Sequence, residues 1–158
     1  MNRPRRLAWV LSGVVAGGMF VASPALAQVG KSAGVLDANL ASEKELQAVP
    51  HVTPEIARAI VAGRPFPNAV ALDAVLARSL QPDRIKQAYG KLFVPVNLNA
   101  ASREEILLIP GVGPRMAGEF LEYRPYRGME EFRREIGKYV DEAEVARLER
   151  YVTLEPQP

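Results

Sequence analysis

An ungapped offset of 60 residues lays one stretch of this chain over another. Asn39-Leu40-Ala41-Ser42 falls on Asn99-Ala100-Ala101-Ser102, Glu45 on Glu105, and Pro50-His51-Val52-Thr53-Pro54 on Pro110-Gly111-Val112-Gly113-Pro114. Ala57 falls on Ala117, and Arg64-Pro65-Phe66 on Arg124-Pro125-Tyr126. The apolar positions Leu72, Leu76, Ile85 and Leu92 fall on Phe132, Ile136, Val145 and Val152. Self-similarity at a fixed period restricts the fold to one unit built twice. The spacing predicts two related four-helix units, residues 37–96 and 97–156.

The same punctuation recurs in each unit. Ser42 and Ser102 are N-cap residues, and Glu45 and Glu105 stand three residues on, which is a capping box. A short helix leads to Val49 or Ile109, and a tight turn follows. The second helix runs from Pro54 to about Ala62, or from Pro114 to about Tyr123. Arg64-Pro65 and Arg124-Pro125 stop it, because a residue before proline avoids the helical region. A third helix carries Leu72, Val75 and Leu76, or Met129, Phe132 and Ile136. A fourth opens at Pro82, or near Asp141 with Glu144 as another box, and buries Val145, Leu148 and Val152. Leu92-Phe93-Val94 and Val152-Thr153-Leu154 read as short extended exits. The fold class is therefore all-α. A unit this small buries only about 60% of its chain surface, so the units are expected to pack on each other or to share Phe93 to Leu98 as a wedge.

The chemistry concentrates at Ile109-Pro110-Gly111-Val112-Gly113-Pro114. Upstream lies the apolar run Ile106 to Ile109; downstream, Met116, Ala117, Phe120 and Leu121 share one helical face. Gly111 and Gly113 can take φ > 0 and let another molecule approach the backbone. Pro114 suits the first helical position, where no N–H is needed. Amides pointing outward from such a turn attract an anion, typically a phosphate.

This pattern is similar to the hairpin of helix-hairpin-helix DNA-binding motifs. With Val96-Asn97-Leu98-Asn99-Ala100-Ala101-Ser102 before it and Glu122-Tyr123-Arg124 after it, the stretch from Val96 to Arg124 resembles the ComEA family of competence DNA receptors. The resemblance implies tandem helix-hairpin-helix repeats and sequence-independent binding of DNA, since only phosphates are read. The DNA-contacting residues it implies are Gly111, Val112 and Gly113 of the hairpin, with Arg115 one residue into the second helix. Arg127, with Arg133 and Arg134, would extend the track. The first unit departs from the pattern: His51 and Thr53 replace the glycines, so it is expected to be mainly structural, with Thr53 as an N-cap and His51 a solvated turn residue. The third and fourth helices depart too, because only Gly137 stands where a second glycine hairpin is usual.

The N-terminus has the layout of a secretory signal peptide: Arg3, Arg5 and Arg6, then an apolar stretch from Leu7 to Ala22, then Ala25-Leu26-Ala27 before Gln28. Residues 1–27 are expected to be removed and 28–36 to form a flexible leader, leaving a periplasmic or secreted chain with no stable membrane span. Export changes the charge argument. Of 20 basic residues three precede Gln28, so 17 face 18 acidic residues afterwards. From Asn97 on there are 9 basic and 12 acidic residues, although a DNA binder normally shows a basic stripe. The chain has no cysteine, which excludes thiol catalysis and cysteine-ligated metal. His51 is the only histidine, no nucleophile signature is present, and the turn lacks the Gly-Lys-Ser/Thr ending of a P-loop. No enzyme activity, cofactor or metal is expected. Two readings follow: an exported DNA-binding protein serving DNA uptake, or an envelope scaffold whose partners are proteins and which keeps the fold without DNA.

Overall fold

A computed structural model of the protein describes residues 34–156. The expected signal peptide, and the expected leader as far as Ala33, lie outside the described residues. The chain runs β1 (Leu36–Asp37), α1 (Glu43–Leu46), α2 (Pro54–Ala62), α3 (Ala69–Leu76), α4 (Pro82–Tyr89) and β2 (Leu92–Phe93). A second series follows: β3 (Val96–Asn97), α5 (Arg103–Leu107), α6 (Pro114–Glu122), α7 (Met129–Ile136), α8 (Glu142–Leu148), a 3-10 turn (Glu149–Tyr151) and β4 (Val152–Thr153). We call these series the N-terminal and C-terminal halves. Helices dominate both.

The all-α expectation needs one correction, because each half is closed by a short parallel pair. β1 lies beside β2 and β3 beside β4, in register Leu36 to Leu92 and Val96 to Val152. Main-chain bonds flank the pairs: the Leu36 amide donates to Lys91 O at 2.7 Å, Ala38 to Phe93 O at 2.8 Å and Leu98 to Thr153 O at 2.8 Å. The extended exits thus bond the chain's way out of each half to its way in. β1 opens at Leu36 and Val35 is already buried, so packing begins inside the segment expected to be a leader.

Local chemistry explains the helix starts. The Glu45 amide donates to Ser42 Oγ at 3.3 Å while Glu45 Oε2 accepts the Ser42 amide at 2.8 Å. The Ser102 box has the same reciprocal bonds at 3.2 and 2.7 Å. Asp141 caps α8 through the Glu144 amide at 2.8 Å. After the second helix of each half, Arg64–Pro65 and Arg124–Pro125 are cis. The turn is fastened back onto the segment after the first strand. Asn39 exchanges two bonds with the Phe66 backbone, 3.0 and 2.7 Å, and Asn99 does the same with Tyr126 at 2.9 and 2.7 Å. Arg64 Nε and Nη2 donate to Ala38 O and Ala41 O at 2.6 and 2.5 Å. Arg124 Nε donates to Leu98 O at 2.5 Å, but its Nη2 is buried with no acceptor, as is the Tyr126 hydroxyl.

One apolar core runs through both halves. Phe66, Phe120, Phe132, Ile60 and Leu72 are fully buried within it. Phe93, Val94, Val96 and Leu98 are buried as well, and Phe93 meets Tyr89 and Tyr151 edge-on, each at 5.2 Å between centroids. The 93–98 segment therefore joins the halves through packing, which edge-to-face aromatic contacts reinforce beyond area burial. Among the described residues no helix is long and apolar enough to cross a membrane, and no group of His, Asp and Glu could hold a metal ion.

Candidate nucleic-acid interface

Each half carries a tight turn between its first two helices, and the turns share a backbone. His51 has φ 66° and Gly111 φ 81°, so both stand in the left-handed region. Such a conformation strains a side-chain-bearing residue and suits glycine. Val52 and Val112 are buried, and their amides donate to Val49 O and Ile109 O at 3.2 and 3.0 Å. Val112, expected at the contact surface, instead anchors the turn to the core. Of the two glycines that can take φ > 0, only Gly111 does so: Gly113 has φ −93° and ψ 176°, an extended N-cap that any residue can adopt. What Gly113 contributes is room, because a Cβ there would meet nothing within 4 Å.

The turns differ in what they do with the amides that open the next helix. At α2 the protein fills the position itself. The Ile56 amide donates to Thr53 Oγ1 at 3.4 Å. The Glu55 carboxylate turns back on its own amide and on the Thr53 hydroxyl, which hold it below the usual carboxylate range. At α6 the N-cap Gly113 offers no side chain, and Arg115 stands where α2 has Glu55. Among the described residues the amides of Gly111, Gly113 and Arg115 meet no acceptor. An exposed, uncapped helix start with a bare approach leaves its amides, and the positive end of the helix dipole, open to an anion.

Four cations surround this opening. Arg115 is exposed with no ion pair among the described residues. Arg103, from the first turn of α5, donates to Pro114 O at 2.7 Å. Arg147 of α8 lies on the turn, and a Cβ built on Gly111 would stand 2.9 Å from its Nη2. Lys138 lines a groove beside the hairpin together with Gly113, Arg115, Met116, Glu119 and Tyr139. Its ammonium is bonded to Glu135, which raises its pKa, and lies 5.0 Å from the Tyr123 ring centroid. The Tyr123 and Tyr139 hydroxyls are 2.8 Å apart; that bond, followed by one to Glu119, pushes Tyr139 titration upward.

Of the residues expected from sequence, Gly111, Gly113 and Arg115 meet at one exposed turn. Arg127 is exposed, with its amide on Glu131 Oε2 at 2.8 Å, and does not line the groove. Arg133 pairs with Glu149 at 2.6 Å, and Arg134 with Glu135 at 2.9 Å and Glu131 at 3.5 Å, so these two are occupied by acids of their own half. Arg103, Arg147 and Lys138 escaped sequence reasoning. For Arg147 a signal existed: the offset that carries His51 to Gly111 carries Gln87 to Arg147, and Gln87 Oε1 lies 2.8 Å from His51 Nε2.

The turn, its two helices and the β3 lead-in coincide with a known pattern. Residues 95–123 match the model of the helix-hairpin-helix motif. Comparison with the curated proteins and with the solved structures returned no match. The motif takes in Asn97 and Asn99, whose side chains order the lead-in, and stops at Tyr123, just before the Arg124 clamp.

Proposed function

We propose that this chain binds DNA without regard to sequence, holding a backbone phosphate on the amides of Gly111, Gly113 and Arg115. Helix-hairpin-helix motifs are generally associated with such binding. The observation that carries the reading is the opening at α6: bare amides and Arg115 where the other half supplies Thr53 and Glu55. In this reading residues 37–96 and 97–156 are two units of one design, the first of them structural. The ComEA-like stretch Val96 to Arg124 and the signal-peptide layout of residues 1–27 support export and a role in DNA uptake. Catalysis has no part in it.

The acidic C-terminal half favours a second reading, an envelope scaffold with protein partners. With 9 basic and 12 acidic residues from Asn97 on, and Arg133, Arg134, Lys138 and Arg147 already paired with carboxylates, few phosphates can be engaged. A salt titration of binding to random-sequence duplex separates the two. Each neutralised phosphate contributes about −0.9 to the slope of log affinity against log salt, so two to four contacts give roughly −2 to −4, with affinity micromolar or weaker at physiological salt. Arg115→Glu places a carboxylate where α2 has Glu55 and is expected to weaken the interaction about tenfold. No binding by the unaltered protein at low salt, where attraction is strongest, leaves the scaffold reading. Export is read from the mass of the native protein, which should begin at Gln28; an intact Met1 would count against it.

A further inference from the structure

Arg147 reaches the hairpin from the last helix of its half, and it does so under restraint. Gly111 has a φ of 81°, which suits glycine, and the Arg147 guanidinium lies over it, with Nη2 2.9 Å from where a Cβ would stand. Glu144 grips that guanidinium in two bonds, Nε to Oε2 at 2.7 Å and Nη2 to Oε1 at 2.6 Å. Tyr151 lies under it, with the ring centroid 5.8 Å from Cζ. The pair lowers the Glu144 pKa and raises that of Arg147, each mainly through the shared bonds. Yet the side chains keep 35% and 30% of their exposure, so an anion can reach the guanidinium without unfolding anything. The N-terminal half has no such arrangement, with Gln87 and Arg84 at the matching positions.

We infer that Arg147 is a second phosphate-binding cation of the hairpin, held beside Gly111 by Glu144 until DNA docks, and that the phosphate then displaces Glu144. This rests on the DNA-binding reading above. A guanidinium fork fits phosphate as it fits carboxylate. An ion pair that keeps about a third of its exposure has modest net strength, so exchanging one anion for the other is close to balanced. Glu144 thereby orients Arg147 and also competes with the ligand. The two side chains must then act with opposite sign: losing the base weakens binding, and losing the acid strengthens it. A pair that merely pins α8 to the hairpin would give one sign for both.

The test is fluorescence anisotropy of a labelled random-sequence duplex over a range of salt, using the full protein, Arg147→Met and Glu144→Gln, with thermal melts to confirm that each is folded. Arg147→Met is expected to weaken binding about tenfold and to flatten the salt slope by about one. Glu144→Gln is expected to tighten it about threefold or more. Should Arg147→Met fail to fold, Arg147→Lys keeps the charge, loses the fork, and is expected to bind with intermediate affinity. Binding by Glu144→Gln that is weaker than or equal to that of the unaltered protein overturns the proposal, as does undiminished binding by the Arg147 variants. Those outcomes leave the DNA-binding reading intact, whereas no binding by the unaltered protein at the lowest salt removes both.

Discussion

At the start of α2 the chain supplies its own anion; at the start of α6 it supplies a cation and leaves the amides bare. Around these turns the halves agree. Both have a serine–glutamate box, a proline opening the second helix, an asparagine that ties in the chain after that helix, and an arginine clamp. Three exchanges separate a closed turn from an open one: His51 for Gly111, Thr53 for Gly113 and Glu55 for Arg115. The open turn forgoes a side-chain cap, which with glycine in its place costs roughly a few tenths of a kcal/mol. Local rules are most often broken where a protein meets a ligand, and here the same chain carries the unbroken version for reference.

The most severe way to break the comparison is to copy the closed turn into the open one. Gly113→Thr with Arg115→Glu gives α6 the α2 cap and carboxylate. Losing a pair of charge-assisted bonds to phosphate is expected to cost about a hundredfold in duplex affinity, with helicity by circular dichroism unchanged. A fold-level comparison comes next. Arg64→Met removes two bonds to Ala38 and Ala41, while Arg124→Met removes one and relieves a buried Nη2 that has no acceptor. Denaturant melts should register about 2 kcal/mol for the first and about 1 kcal/mol for the second; the reverse order would show the clamps to be unlike. Thr53→Ala strips the closed turn of its cap and is expected to lower stability by about 1 kcal/mol while leaving DNA affinity untouched.

The smallest effect concerns the residue two before each of these asparagines. Asp37 and Asn97 both accept the amide two residues on, at 2.8 and 2.9 Å, but burial raises the Asp37 pKa against the pull of the Asn39 amide and Arg64. A carboxyl whose folded pKa exceeds its unfolded value weakens the fold once ionised. Asp37→Asn should therefore stabilise the protein at pH 7, by under about 1 kcal/mol given solvent screening. The advantage should fade below about pH 4, where the unfolded carboxyl is protonated too. Melts of the two proteins at pH 7 and pH 3.5 check this.

Much of the scaffold was legible because its signals are local. A serine and a glutamate three residues apart, or a proline after a turn, announce a helix start without reference to the rest of the chain, and the boxes at Ser42 and Ser102 and the caps Thr53 and Asp141 are where the spacing put them. The β1 and β3 pairings left no trace, since two residues carry no period and their partners are 56 positions away. At the interface, composition at Gly111, Gly113 and Arg115 was readable, but Gly113 needs space and not a special φ. Arg133 looked available from its position alone, and Glu149, which occupies it, comes from the turn after another helix. The exchange of Glu55 for Arg115 is written at the same offset as the glycines; its meaning depends on the carboxylate folding back onto its own amide.

The parallel pairs have a consequence for how such a chain can be rearranged. Each half begins and finishes one strand spacing apart, about 4.8 Å, and only Val94-Pro95 lies between β2 and β3. A body whose ends meet can have those ends spliced and its chain reopened at another exposed point, such as Arg78-Ser79 between α3 and α4. The hairpin would be carried through that permutation unaltered. Growth is equally undemanding: a further copy joined after β4 would leave through the same doorway it came in by, with no internal connection to lengthen or reroute.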